Sequence, residues 1–360
     1  MTIEEKLCLI MSSLEITGHK QREIFSAAEP SLLFSDFGGQ TNKFAEILGG
    51  DSIRLRHSLN DEYLSGILEQ CEKNSVRAVT FYSPDYPEKL KNIPDPPMTL
   101  YVRGNMGLLN ERGIAVVGTR KVSSYGRRVT NAFTAELARR LVIVSGLAYG
   151  VDTAAHEAAL SEGGKTVAVL GSGVMNVYPA ANQNLAERIL SSGGAVVSEF
   201  GLFGAPNNYH FPMRNRIVSG LADALLICEA PLRSGTMSTL EHALEQGKDV
   251  YAVPGEIYSP NSMGTNEILK RLQGALVTEP KDILDNFGIN YEKTEKTQIQ
   301  LDFSEQLVVN LLSRGKMHFD ELVAETALKP HELAFVLANL ELKGLLVKLP
   351  GNNYQYMEEN

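Results

Sequence analysis

From Ile114 to Val277 short apolar runs alternate with longer amphipathic stretches, and this alternation constrains the fold more than any other feature. The runs are Ile114–Val117, Leu141–Val144, Val167–Leu170, Ala195–Val197, Ala224–Ile227, Val250–Val253 and Ala275–Val277. Between them lie helical patterns over Arg127–Arg140, Asp152–Ser161, Gln183–Ser191, Thr236–Gln246 and Asn266–Leu272. Short, continuously apolar strands that alternate with helices predict βαβ units and a parallel sheet buried on both faces. The expected fold class is α/β, with an extended, doubly wound, Rossmann-like sheet.

The flanks differ. Leu7, Ile10, Met11 and Leu14 share one helical face, and residues 1–75 read as a small helical domain. A second helix is expected near Lys20–Ala28, closed by Pro30, and Gly38-Gly39 and Gly49-Gly50 punctuate further short helices. Residues 80–105 are Pro-rich and lead into a short strand at Leu100–Val102. Residues 289–302 are polar and read as a linker. Beyond it, Phe303–Ser313, Phe319–Thr326 and His331–Lys343 read as three helices, followed by a hairpin with a Gly351-Asn352 turn. That is the winged-helix pattern. The expected domains are therefore 1–75 helical, 76–288 Rossmann-like, 289–302 linker and 303–360 winged helix.

In such a sheet, ligands bind beyond the carboxyl ends of the strands. After Val117 come Gly118, Thr119 and Arg120, then Ser123 and Gly126, which offer backbone donors and a guanidinium to an anion. After Val144 come Gly146, Asp152 as a helix N-cap, and His156 on the same helix face. That pair reads as an acid–base or metal pair, or as a cap beside a packed histidine. After Leu170 come Gly171, Gly173 and Tyr178, the last able to stack on a base or to fill core. Phe211, Arg214, Asn215 and Arg216 open a helix; arginines two apart cannot share its face, so one is expected in the site and one paired with Glu199 or Glu229. Ser234, Gly235 and Thr236 form a third small-residue cradle. No Walker loop and no nucleophile–His–acid set occurs, so the pattern suits phosphate binding better than bond breaking. No cofactor or metal is expected.

Together these motifs resemble one family. Gly118-Thr119-Arg120, Ser145-Gly146-Leu147-Ala148-x-Gly150-Val151-Asp152, Tyr178-Pro179, Phe211-Pro212-x-Arg214-Asn215-Arg216, Glu229-Ala230, Ser234-Gly235-Thr236 and Val253-Pro254-Gly255 occur in this order. The series is similar to the DNA-processing protein A family of bacteria (DprA, also called Smf). The resemblance implies a non-enzymatic protein that binds and protects single-stranded DNA entering during natural transformation and loads the recombinase RecA. It also implies a homodimer formed through the Rossmann-like domain, a SAM-like fold for the helical N-terminal domain, and a DNA pocket built from the 118–120 loop, the 171–179 region and residues 214–216. Some members carry a basic residue directly after the Tyr-Pro pair; here Ala180 stands there, and Lys165 or Arg188 is expected to compensate.

Charge sharpens that expectation. The chain carries a net charge of −9, which excludes a polycation. Residues 112–217, however, hold 11 basic and 6 acidic side chains, whereas residues 303–360 hold 5 and 8. About half of Arg127, Arg128, Arg139 and Arg140 are expected to be solvated helix faces. A positive groove is expected on the sheet, and a winged helix that contacts protein rather than DNA. Three scattered cysteines, no secretory leader pattern and no long apolar stretch suggest a cytoplasmic protein without a membrane segment. The competing reading is an enzyme on nucleotides, because Arg233-Ser234-Gly235-Thr236 with Glu241 is similar to the phosphate loop of Rossmann-like phosphoribohydrolases. That loop's full glycine set is missing here.

Overall fold

The computed structural model describes residues 1–27, 29–30, 41–290 and 301–356. The chain forms two compact units, residues 1–290 and 291–360. Gly38-Gly39 and most of the 289–302 linker expectation lie outside the described residues.

The first unit is organised by nine strands: β1 (Val76–Thr80), β2 (Thr99–Gly104), β3 (Gly113–Val117), β4 (Val142–Ser145), β5 (Thr166–Val169), β6 (Ala195–Ser198), β7 (Ala224–Ile227), β8 (Asp249–Ala252) and β9 (Ala275–Leu276). Their order is β1-β2-β6-β5-β4-β3-β7-β8-β9. The seven strands β3 to β9 pair in parallel, while β1 and β2 add an antiparallel extension. The chain winds from β3 outward to β6, then returns beside β3 as β7, so the order in which strands are added reverses between β3 and β7, which remain parallel. The alternation that betrays the strands also splits the core. Val167 and Val169 pack on one face, and Ala168 and Leu170 on the other. Both faces are buried because every parallel crossover lays a helix on the sheet.

The helices between strands fall within three residues of their expected limits: Ser124–Ala138, Val151–Ser161, Gln183–Ser191, Thr236–Glu245 and Met263–Lys270. A strand at Val76–Thr80 was not expected. It completes the antiparallel edge through register Ala78 to Tyr101, a pairing no local pattern announces. Before it, five described helices (Ile3–Ser13, Gly18–Ala27, Thr41–Leu48, Asp51–Ser58, Asp61–Lys73) bury Leu7, Ile10, Met11 and Leu14 against Ile24, Phe44, Leu55 and Leu64. Thr2 and Glu5 form a capping box at the first.

The second unit has helices Phe303–Leu312, Phe319–Thr326 and Pro330–Leu342. Its three-stranded sheet is ordered β10 (Met317–His318), β12 (Asn353–Tyr356), β11 (Leu346–Leu349). The expected hairpin turn holds Gly351 and Asn352, both at positive φ. This is a winged helix with an additional two-residue strand. Cys8, Cys71 and Cys228 are free and buried.

Candidate nucleic-acid interface

The loops at the carboxyl ends of β3, β4 and β5 converge on the start of the helix His210–Leu221. Arg120, exposed on the loop after β3, lies over the Phe211 ring at 5.4 Å from its centroid. Phe211 in turn lies 5.5 Å from Tyr178, centroid to centroid, tilted by 40°. The guanidinium, the half-buried phenylalanine and the exposed tyrosine thus form one strip across two loops and the first turn of the helix His210–Leu221. Gly171 makes it possible: a Cβ there would meet Phe211 Cδ1 at 2.7 Å. The cation over the ring is an ordinary cation–π pair, and ring faces with a nearby guanidinium suit bases and phosphates.

Beneath the strip lies Arg214, buried, donating from Nη1 to the carbonyl oxygens of Gly146 (2.6 Å) and Val169. Asp152 is buried beside it and accepts from the N–H groups of Gly146 (3.1 Å) and Ala148 (3.3 Å). Burial pushes the Asp152 carboxyl up and pulls Arg214 down to about 10, and each moderates the other's shift. Arg214 therefore remains a cation at neutral pH, held as the floor of the strip. Asp152 is not the expected N-cap; it clasps the preceding loop, because the helix begins one residue before it. His156 is fully buried with Nδ1 2.7 Å from Thr166 Oγ1, and burial lowers its pKa to about 3. It is a packed neutral histidine, and the acid–base alternative falls.

Asn215 links the strip to the third cradle. Its Oδ1 accepts from Arg214 Nε at 3.3 Å, and its Nδ2 donates to the Gly235 carbonyl at 3.3 Å. Gly235 is exposed, and no atom stands within 4 Å of where its Cβ would be, so the third cradle is open at Gly235, while Thr236 is buried.

The expected pairing of one arginine with Glu199 falls to Arg216, which leaves the implied pocket, and three other expectations change. Arg216 faces away from the strip, with Nη1 and Nη2 each 2.6 Å from a Glu199 oxygen and Nε 2.8 Å from Asp95. Burial opposes its charge, yet the two carboxylates outweigh that and bind its proton more tightly than water does. Asp95, in the Pro-rich segment, also pairs with Arg22 of the helical layer; its role was not legible because the partners are distant in sequence. The first cradle is closed: Glu229 accepts from Ser123 N–H (2.8 Å) and Ser123 Oγ (2.5 Å), and its carboxylate occupies the space a Cβ on Gly126 would take. Thr119 is buried, its N–H donating to the Glu229 carbonyl at 2.7 Å. Gly173 is packed, its N–H donating to Gly204 at 2.9 Å, rather than presented to an anion. Lys165 precedes β5, so it sits at the amino end of the sheet, where its Nζ donates to the Ser192 carbonyl at 2.6 Å.

The charge distribution follows the same geometry. The helix Ser124–Ala138 starts at the carboxyl edge and runs back about 22 Å. Arg127 and Arg128 stay at the strip's edge of the sheet. Arg139 is carried to the other edge and pairs with Glu136 and Glu162.

An open parallel sheet with an aromatic–arginine strip at its carboxyl edge, in a chain that also carries a winged helix, defines a nucleic-acid-binding protein of the doubly wound class. Comparison with known proteins narrows this. Residues 77–288 match the family model described as DNA recombination-mediator protein A, and residues 292–352 match the DprA winged helix domain. The chain belongs to the DprA/Smf family of DNA recombination mediators. It is 41% identical over 280 residues to protein Smf of Escherichia coli strain K12, covering 74% of each chain. With DNA processing protein DprA of Streptococcus pneumoniae it is 44% identical over 203 residues, covering 56% of this chain and 71% of that one. The X-ray structure of DprA from Streptococcus pneumoniae superposes with TM-score 0.65 at 34% identity, covering 81% of this chain and 99% of that one. A structure of DNA processing protein A from Helicobacter pylori, described for a unique single-stranded DNA binding mode, superposes with TM-score 0.54 at 29% identity, covering 60% and 97%.

Proposed function

We propose that one strand of DNA lies across Arg120, Phe211 and Tyr178, with its phosphates toward Arg120 and Lys121. The protein is a single-stranded-DNA-binding recombination mediator, as its family is, and this strip is where the strand is held. The observation that carries the placement is the Arg120–Phe211–Tyr178 stack on the open carboxyl edge. Stacking on rings and a cation for phosphate bind a single strand without regard to sequence. The nucleotide-enzyme reading rests on the Ser234-Gly235-Thr236 loop with Glu241, which lacks the full glycine set of the phosphoribohydrolases, and the family match is to recombination mediators. Among the described residues no group of His, Cys, Asp and Glu is placed to hold a metal.

The finer role is binding and protection of incoming single strands during natural transformation in the cytoplasm, followed by loading of RecA. Among the described residues no helix is long and apolar enough to cross a membrane. The homodimer is assigned to the β8–β9 edge, where exposed Leu272 and Leu276 accompany an unpaired edge strand. Binding of labelled oligo-dT, followed by fluorescence anisotropy against salt, tests the site. Affinity should fall with salt at a slope of about −0.7 per phosphate neutralised, and Arg120→Ala should flatten it. An unchanged slope in that variant would place the strand elsewhere.

A further inference from the structure

The loops around the strip carry more exposed aromatic surface than a three-residue stack uses. Tyr149 follows β4 and is 49% exposed; Tyr209 and Phe203 follow β6 and are 80% and 58% exposed. Their placement is set by the backbone. Val151 N–H donates to the Thr119 carbonyl at 3.1 Å, which holds Tyr149 beside the loop of Arg120. At the other side, His210 stacks on Phe200 with centroids 3.8 Å apart, fixing the turn that presents Tyr209 two residues before Phe211. The loop of Phe203 is tied to the Tyr178 loop by Gly173 N–H to Gly204 at 2.9 Å and Met175 N–H to Leu202 at 2.9 Å.

These rings therefore follow the strand order β4, β5, β6, across the strands rather than along them. Adjacent strands are about 4.8 Å apart, so β4 and β6, the strands these loops leave, are separated by on the order of 10 Å. The strip runs from the loop after β3, which holds Arg120, to that after β5, which holds Tyr178, so Tyr149 falls within its span and Tyr209 and Phe203 follow the next strand, β6. Charge in the same loops points to nucleic acid as occupant. Residues 118–123, 146–150, 170–182 and 199–209 contain one carboxylate, Glu199, and it is turned inward against Arg216. An exposed row of rings without acidic neighbours, beside Arg120 and Lys121, matches a polyanion with flat bases.

We propose that Tyr149, within the span of the strip, and Tyr209, on its β6 side, extend it into a base-stacking track, with Phe203 at its far end. Successive bases of one DNA strand lie across the carboxyl ends of β4, β5 and β6. This rests on the placement of DNA given above and adds its direction and length.

The chain contains no tryptophan, so a single substitution supplies a unique indole. In the full-length protein, Tyr149→Trp and Tyr209→Trp should each lose emission when oligo-dT of about 12 nucleotides is added. Tyr258→Trp, on the β8 side, should not. Tyr149→Ala and Tyr209→Ala should each weaken binding of that oligonucleotide about fivefold or more, while one of about 4 nucleotides binds Tyr209→Ala as it binds the parent. If the parent binds both and neither indole responds nor either alanine variant loses affinity, the track is wrong while the central strip stands. If the alanine variants change oligomeric state and leave binding intact, the row is a protein contact and the proposal falls. If the parent binds neither, the site assignment above fails as well.

Discussion

Glu229 satisfies both donors of Ser123, its Oε2 2.8 Å from the backbone nitrogen and its Oε1 2.5 Å from the hydroxyl. A buried carboxylate thus takes the position at the helix Ser124–Ala138 where a Rossmann enzyme would bind a phosphate. Replacing Glu229 with Ala leaves those donors unpaired and should cost about 2–4 kcal/mol, against on the order of 1 kcal/mol for Glu229→Gln. Urea unfolding measures both. Inorganic phosphate should raise the melting temperature of Glu229→Ala and leave that of the parent unchanged.

Arg216 and Arg120 should separate stability from affinity. Arg216→Ala strands Glu199 in the interior and should destabilise the fold by about 3–5 kcal/mol. Arg120→Ala removes an exposed side chain, should leave the unfolding midpoint where it is, and should weaken oligo-dT binding about tenfold. Lys165→Ala, at the amino end, should change neither. Equal losses of affinity for Lys165→Ala and Arg120→Ala would overturn the site geometry.

Burial, with a smaller contribution from Arg214, holds His156 neutral in the folded protein, at a pKa of about 3 against about 6.5 when unfolded. The unfolded chain therefore takes up the proton first as pH falls. His156 contributes a loss of stability between pH 6.5 and 3, of about 2 kcal/mol between pH 7 and 5. His156→Gln should flatten that part of the profile, measured by urea unfolding at both pH values. Asp95 acts further down. Burial would raise its pKa, but Arg216 and Arg22 outweigh it and hold it low, so its contribution is present above the unfolded carboxylate range and lost as pH falls below it.

The winged helix should contribute little to DNA affinity. Its third helix, Pro330–Leu342, exposes Phe335 and Leu342 and carries no Lys or Arg, and Lys343 beyond it pairs with Glu305 at 2.6 Å. A chain ending at Asn290 should bind oligo-dT within about twofold of the full chain. A much larger loss in anisotropy titrations would show that the unit holds DNA.

Leu276→Lys places a charge on the exposed edge strand β9. Sedimentation should show a shift from dimer to monomer, with the unfolding midpoint retained. A dimer that survives the substitution lies on another face.

The parallel sheet was legible because its strands are buried on both faces and so are written as continuous apolar runs. The strip was half legible. Arg120, Phe211 and Tyr178 follow strand ends, and the rule that ligands sit there needs only strand positions. The same rule misplaced Ser123 and Gly126, because nothing local says that Glu229, more than a hundred residues away, fills the cradle they make. It also left Arg214 and Arg216 undivided. Helical spacing shows that two residues two apart point in different directions, but not which direction holds the carboxylates. The amino-acid sequence by itself determined the layers, the strand ends and the residues that could meet an anion, since burial periodicity and turn chemistry are local properties. Tertiary structure alone decided which cations remain free, because a charge is spent or kept according to its neighbours in space. Arg216 and Arg139 are paired, Lys165 lies on the wrong edge, and Arg120 is left over an aromatic ring facing solvent.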